Sequence, residues 1–492
     1  MFQETVYKGL VKKHRRDIHE RVGLALEKFF QDRSLESWEI LAFHFQRAHS
    51  MDKAIKYLVK SGERSLKKYA LDASEQYYGE AFKLLSSRQE RSKKEDFILL
   101  DLMIKWCLVL YYQGRFKEMN RLLLDNQPLA ESLQDQGKLG EYYAWLGHAN
   151  FWHGASLKDA HRYLQRALKL GQQSGNKQVI AYACGFLIKT CAELGLLEES
   201  RANERHCQAM LDTLPDDYFL RMIYYSGSGY IGWFTGDKRK VWEAAQGILA
   251  YGQEIHSLRC QMVGYILLAF WHFLDLEMSA AVTCIQKVID EGDPYHSIFA
   301  RLVHGMFLVH MREFESALHN LNQVICYCEA HGTEYMKTFA NVFLGVALAA
   351  QGKVAAGLQC IERSNREFKE FHRQVFCSLS ETILGTVYLQ LYQRSGKINF
   401  SILWHNIGLI LKNLFVAGKK AEKHLLQAAQ LALQTGAKGF LGQPYLLLGI
   451  LYKARGQKEK SKTYLHMAQE IFAACDMQVY AQRAEELGQT LD

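Results

Sequence analysis

A residue that breaks a helix recurs along this chain at a nearly constant interval, and that period restricts the fold more than any other property of the sequence. Gly114, Gly154, Gly195, Gly236, a turn at Asp275, a turn at Arg312 and Gly352 follow one another about forty residues apart, with a further copy at Gly456. Each break lies between two apolar runs long enough to make helices. Arrays of helix pairs need an interval of this size, because one pair presents an apolar face that it buries only by stacking on the next. Proline usage agrees. Four prolines (Pro128, Pro215, Pro294, Pro444) in 492 residues is far below the usual ~5%, and proline is the residue a helix interior tolerates least, so helix can run almost throughout.

Within each unit, small and large residues fall at fixed offsets from the break. In PYLLLGILYKARGQKEKSKTYLHMAQEIF, Leu448 and Gly449 precede Tyr452, Gly456 makes the turn, and Ser461, Leu465 and Ala468 follow. Gly305, Leu308, Ala317, Leu321 and Val324 repeat these offsets, as do Leu344, Gly345, Leu348, Gly352, Gly357, Ile361 and Ser364, and near the start Ala42, Phe45, Ala54, Leu58 and Ser61. Glycine or alanine at a helix crossing lets two backbones approach, and a leucine or tyrosine one turn away fills the groove beside it. This pattern resembles the tetratricopeptide repeat. The resemblance implies an all-α, right-handed superhelical solenoid of about ten tetratricopeptide-like helix pairs, with a concave face that presents side chains to a partner. Two units fit it less closely. Around Gly195 the signature positions hold Ile188, Cys191, Ser200 and Cys207, and the Gly114 unit has Met119 and Asn126 where small residues are usual.

One unit is interrupted. After Leu384, Gly385 and Tyr388 the signature resumes only at Ala421, Leu425 and Ala428, which requires an insertion of 24 residues in the turn. Four segments follow: linker helices over 1–35, tetratricopeptide-like repeats over 36–390, an apolar insertion over 391–417, and C-terminal repeats with a capping helix over 418–492. In INFSILWHNIGLILKNLFVAG, polar residues return near a seven-residue spacing and leave a broad apolar face that includes Leu403, Ile410, Leu411 and Leu414, with Trp404 nearby. A spanning helix needs about 20 predominantly apolar residues, and His405, Lys412 and three asparagines argue against one here. The expectation is a helix packed on the solenoid or a surface for a partner or a second copy, with Leu403, Trp404, Ile410, Leu411 and Leu414 as the candidate interaction residues. Membrane association through this segment stays open as an alternative.

Composition and motifs narrow the chemistry. A net charge of +8, spread over 60 basic and 52 acidic residues, gives no long basic tract, so nucleic acid is not an expected partner. The densest basic run, Lys8, Lys12, Lys13, Arg15 and Arg16, reads as a solvated helix face. Eleven scattered cysteines without a C-x-x-C, and an N-terminus lacking a secretory leader, fit a reducing cytoplasmic setting. Gly227, Gly229 and Gly232 spell G-x-G-x-x-G, but inside a helical run that turns at Gly236 rather than between a strand and a helix, so a close helix crossing explains them better than a dinucleotide. The pairs His44/His49 and His148/His153 are spaced i to i+5, which does not place two imidazoles on one helical face. No phosphate-cradling loop or nucleophile elbow occurs. The sequence thus assigns no catalytic, cofactor-binding or metal residues, and the chain is read as non-enzymatic.

The two ends carry a finer likeness. The run FQETVYKGLVKKHRRDIHERVGLALEKFF, with Tyr7, Arg15, Arg16 and His19, is followed by a segment holding Ala42, His44, Ala54, Tyr57 and Leu58. It resembles the junction where bacterial multidomain signalling ATPases of the AAA or STAND type, often linked to adenylate or guanylate cyclases, enter their C-terminal tetratricopeptide region. LGTVYLQLYQ, NIGLILKNLFVAGKKAEKHLLQAA and GAKGFLGQPYLLLGILYKARG resemble the cyclase-associated branch. The resemblance implies a missing upstream domain, hence a fragment or a split gene product. It implies a non-catalytic protein–protein interaction scaffold or sensory and regulatory module in signal transduction, serving a protein partner or its own upstream ATPase or cyclase domains, and able to form oligomers. The alternatives are a subunit contributing to nucleotide-dependent activity and a membrane-associated scaffold.

Overall fold

The computed structural model describes residues 11–31, 38–154, 156–394 and 416–491. Every regular element among them is helical, and the helices join into two compact units, Met1–Gln113 with Arg121–Asp135, and Gly114–Asn120 with Gln136–Asp492.

The first unit is built from α1 (Lys12–Gln31), α2 (Trp38–Ala48), α3 (Met51–Lys67), α4 (Leu71–Ser86) and α5 (Lys93–Tyr112), with α6 (Phe116–Asp125) shared at the boundary and α7 (Gln127–Ser132) after it. The signature residues Ala42, Phe45, Ala54, Leu58 and Ser61 are all buried. α3 has two roles. It is the second helix of a pair with α2, and it repeats the offset as first helix to α4, where Ser74 Oγ donates to Gly62 O at 2.8 Å. α5 starts on a capping box in which Ser92 and Glu95 satisfy each other's backbone N–H groups, two donors that would otherwise be lost at the helix start.

The second unit stacks eight pairs: α8 (Gln136–His153) with α9 (Leu157–Ser174), α10 (Lys177–Leu194) with α11 (Leu197–Leu211), α12 (Tyr218–Thr235) with α13 (Lys238–Glu254), α14 (Leu258–Leu274) with α15 (Met278–Glu291), α16 (Pro294–His310) with α17 (Phe314–His331), α18 (Glu334–Ala350) with α19 (Val354–Glu370), α20 (Gln374–Arg394) with α21 (Ala417–Thr435), and α22 (Gly442–Ala454) with α23 (Lys458–Ala474), closed by α24 (Gln478–Gln489). The crossing residues do what their size allows. A Cβ on Gly345 would sit 2.6 Å from Gly357 O, and on Gly305, Gly385 or Gly449 it would meet a leucine of the following helix at 2.5–2.6 Å. Those leucines are almost fully buried, each worth about 1.5–3 kcal/mol of transfer free energy. Gly385 meets Leu425 forty residues on, whereas Gly449 meets Leu465 sixteen residues on, so the interrupted pair re-forms around an insertion of twenty-four. Most of that insertion, including Leu403, Trp404, Ile410, Leu411 and Leu414, lies outside the described residues.

This second unit also winds back onto itself. Thr333 Oγ1 donates to Gly114 O, 219 residues away, His153 Nδ1 meets Gly332 O across 179 residues, and Cys475 Sγ meets Thr235 O across 240. Leu157 N donates to Phe371 O at 3.1 Å. Four consecutive turns, at Gly114, Gly154, Gly195 and Gly236, therefore rest on turns several repeats later. Their glycines have a reason beyond backbone angle. Leu276 and Arg312 adopt the same left-handed conformation at later turns (φ 59° and 65°), so φ alone does not demand glycine; a Cβ on Gly195, by contrast, would lie 2.7 Å from Thr435.

Candidate ligand-recognition site

First helices of successive pairs turn one face toward the inside of the winding, and in α8, α10 and α12 that face is aromatic. Trp145 stacks on Phe219 (5.5 Å between centroids, 6°), His148 stacks on Phe186 (3.8 Å, 15°), and Trp152 meets Tyr335 edge-on at 5.8 Å. Phe234 meets Phe376 at 5.6 Å, so α18 and α20 lie over α8 and α12 across many intervening residues. Large rings fill space left between helices that curve away from one another, and offset-stacked and edge-to-face contacts are their favoured geometries.

Charges sit inside this aromatic lining. Arg373, in the turn before α20, has no exposed side-chain surface, and neither does Glu193 at the end of α10, with which it pairs. The guanidinium also donates to Phe151 O and lies 3.9 Å from the Tyr335 ring centroid. Tyr335 and Tyr230 exchange a hydroxyl hydrogen bond at 2.9 Å. Burial pushes the Glu193 carboxyl up despite the opposing pull of Arg373. One turn earlier on α10 stands Lys189. Its ammonium lies 4.8 Å from the Tyr230 ring centroid and 5.6 Å from that of Trp152. Unlike Arg373, it makes no ion pair among the described residues and keeps part of its surface exposed. Burial pulls it down to about 8, and the nearby Glu193 opposes that only in part. His148, buried beside it, is held well below its ordinary value by burial and by the Lys189 charge, so it is neutral and adds no compensating or competing charge. Tyr182, Ile223 and Ser226 on α10 and α12 are half-buried like Lys189.

A second recess lies among α11, α12 and α13, where the six-residue link Asp212–Asp217 containing Pro215 follows α11. It holds about 680 Å3 and is lined by Arg201, Arg205, Arg221, Glu204 and Lys240 among others. Two of its cations are matched in place: Lys240 pairs with Glu204 at 2.7 Å and Arg201 with Glu198 at 2.8 Å. Lys189, which also makes no ion pair among the described residues, is set among aromatic rings.

Sequence reasoning singled out other residues. Gly227, Gly229 and Gly232 lie inside α12, and Cβ atoms there would come within 2.5–2.9 Å of Leu267, Ile188 and Val241, which belong to three different helices. The glycine motif is a triple close crossing. His44 pairs with His19 at 3.0 Å and His153 Nδ1 meets Gly332 O, so each has a partner other than the histidine five residues away in sequence. Lys189, Glu193 and Arg373 were not anticipated: a lysine in one helical run and an arginine 184 residues later share no local pattern. Among the described residues, no helix is long and apolar enough to cross a membrane.

No family model matches the chain. It is similar to an uncharacterized protein of Rhizobium meliloti, 25% identical over 144 residues, which is 27% of this chain and 14% of that one. Among solved structures it is similar to a STAND signal-transduction ATPase with a tetratricopeptide repeat sensor from Pyrococcus horikoshii (12% identity, TM-score 0.33, covering 85% of this chain and 55% of that one). It is also similar to a Rap protein complexed with competence and sporulation factor (11% identity, TM-score 0.41, covering 86% and 99%). The chain thus spans about one seventh of the Rhizobium protein and just over half of the archaeal ATPase.

Proposed function

We propose that the chain is a protein-interaction module whose inner helical face receives a carboxylate-bearing segment of a protein partner, with Lys189 as the cation that reads it. The observation that carries this is a lysine ammonium 4.8 Å from the Tyr230 ring centroid, pulled down to about 8 by burial and making no ion pair among the described residues. Holding such a group costs folding free energy, and an anionic ligand repays it by restoring the charge balance in a site where water screens little. Tyr182, half-buried on the same helix as Lys189, supplies rigid amphipathic surface of the kind that anchors bound peptides.

The finer reading is a regulatory module of a bacterial signalling ATPase or cyclase system, and its support is the sequence likeness at the two ends. Reading the genome immediately upstream tests it: a P-loop ATPase or cyclase reading frame there supports the assignment, and an unrelated neighbourhood counts against it.

The binding proposal is tested by selecting a displayed random-peptide library on the purified chain, with Lys189→Met as counter-selection. Enriched peptides should share an Asp, Glu or free C-terminal carboxylate and lose at least about tenfold in affinity on the variant, the value of about 1.4 kcal/mol from one charged contact. Enrichment that ignores the substitution, or a pool without acidic groups, refutes it.

A further inference from the structure

A different cluster, on the other side of α10, carries an inference independent of that reading. His161 on α9, Cys191 on α10 and Glu199 on α11 converge so that one ligand atom from each lies within 4.8 Å of the others. His161 Nε2 and Glu199 Oε1 are 2.8 Å apart, and Gln165, one turn along α9 from His161, donates its amide to the same carboxylate. Cys191 is fully buried, whereas His161 and Glu199 keep 24% and 34% of their side-chain surface exposed. One wall of the cluster is therefore dry and the other reachable by an ion from solvent.

We propose that His161, Cys191 and Glu199 bind one Zn2+. Imidazole, thiolate and carboxylate together suit zinc better than the oxygen-loving cations magnesium and calcium. In a tetrahedral zinc site with metal–ligand distances near 2.0–2.3 Å, ligand atoms stand roughly 3.3–3.7 Å apart. The present cluster lies near that spacing: the histidine–glutamate pair, at 2.8 Å, opens by about half an ångström, and the others, within 4.8 Å, close by at most about 1.5 Å. On binding, the Cys191 thiol gives its proton to water and its sulfur lone pair to the metal. His161 carries its ring proton on Nδ1, freeing Nε2, and Glu199 exchanges its hydrogen bond to the imidazole for a bond to zinc. The Gln165 amide, turned over, offers an oxygen as fourth ligand; a water or a partner's carboxylate fills the same position. The ion would join α9, α10 and α11 at one of the two units that fit the repeat signature less closely, where Ile188, Cys191 and Cys207 stand at the signature positions.

The test uses the full chain, stripped with a chelator and titrated with Zn2+ against a chromogenic competitor, and in parallel with Co2+, whose thiolate complexes show a near-ultraviolet charge-transfer band. One equivalent should bind and the cobalt band should appear. Cys191→Ser should abolish the band, and Glu199→Gln and His161→Gln should each weaken binding by at least about tenfold. Cys326→Ser, at an exposed cysteine, should change neither. His161 and Glu199 are half-exposed, so their variants remain informative even if the buried serine variant fails to fold. Absence of the band in the wild type, a band that survives Cys191→Ser, or zinc affinity unchanged in both half-exposed variants overturns the proposal.

Discussion

Replacing either member of the buried Arg373–Glu193 pair should destabilise the protein, but by unequal amounts and with different pH dependence. In Arg373→Met the carboxyl of Glu193 stays buried and can escape its charge by taking up a proton. Protonating a carboxyl of ordinary pKa near 4.5 at pH 7 costs about 3 kcal/mol, which caps the loss at that pH and shrinks it toward pH 5. In Glu193→Gln the guanidinium cannot shed its proton, and it is left beside a second cation, Lys189. Breaking a buried pair in this way costs about 3–5 kcal/mol, with no relief on acidification. The double variant Arg373→Met/Glu193→Gln removes both charges, so its loss should fall short of the sum of the singles by at least about 2 kcal/mol. Urea unfolding followed by tryptophan fluorescence at pH 7 and pH 5 measures all three, and Trp152, whose ring meets Tyr335, gives a nearby probe. Single losses that add within about 0.5 kcal/mol would refute the reasoning, because two residues 180 positions apart in sequence would then not share one site.

Three further outcomes follow from the same structure. Gly195→Ala should cost about 2–4 kcal/mol, since strain at φ 81° is compounded by overlap with Thr435; Gly456→Ala, with φ 71° and nothing within 4 Å of the added atom, should cost only about 1, and equal melting shifts would contradict the turn-on-turn contact. Burial pushes Glu381 up, but hydrogen bonds from His424, Lys369 and Asn365 outweigh it and hold it down at about 2. A depressed carboxylate contributes stability that is present above its unfolded value of 4.5 and lost as pH falls toward 2, here about 3 kcal/mol, so Glu381→Gln should flatten the acid limb of the stability profile. Lys189→Met removes a cation whose burial costs about 3 kcal/mol, but also its contacts with the Tyr230 and Trp152 rings, worth about 1–2. The variant should be about 1–2 kcal/mol more stable at pH 7, with the gap closing as pH rises from 8 toward 10.5; a less stable variant at pH 7 would be the contrary result.

The fold was legible because the features that build it are local and repeated. A helix crossing needs a small residue such as Gly305 or Gly449 at one offset and a leucine sixteen residues on, and this spacing recurs regardless of what each pair touches elsewhere. The twenty-four-residue insertion was visible for the same reason, as a displaced phase in a regular pattern. The site was not legible. Lys189 occupies a position where any residue facing inward would satisfy the repeat, and its significance comes from Trp152, Tyr230 and Glu193 together with Arg373, brought in from a later turn of the winding. The period gives the stacking of neighbours but not the pitch, and pitch decides which distant turns meet. His161, Cys191 and Glu199 escaped notice likewise: they are spread over 38 residues on three helices, with none of the short spacings by which metal ligands on one helix or loop are recognised. The glycine motif in α12 shows the reverse case, a recognisable string whose helical surroundings assign it to packing.

The most direct test of the account is the titration of Lys189 itself, followed by NMR on protein carrying 13C-methylated lysines, with Lys189→Arg used to assign the resonance, first alone and then with a peptide recovered from the acidic pool. The free protein should show one lysine titrating at about 8, and bound peptide should return that resonance toward the ordinary value near 10.5. A Lys189 that titrates near 10.5 in the free protein, or one that stays at about 8 when peptide binds, would contradict the claim that its unmatched charge is what the inner face uses to recognise a partner.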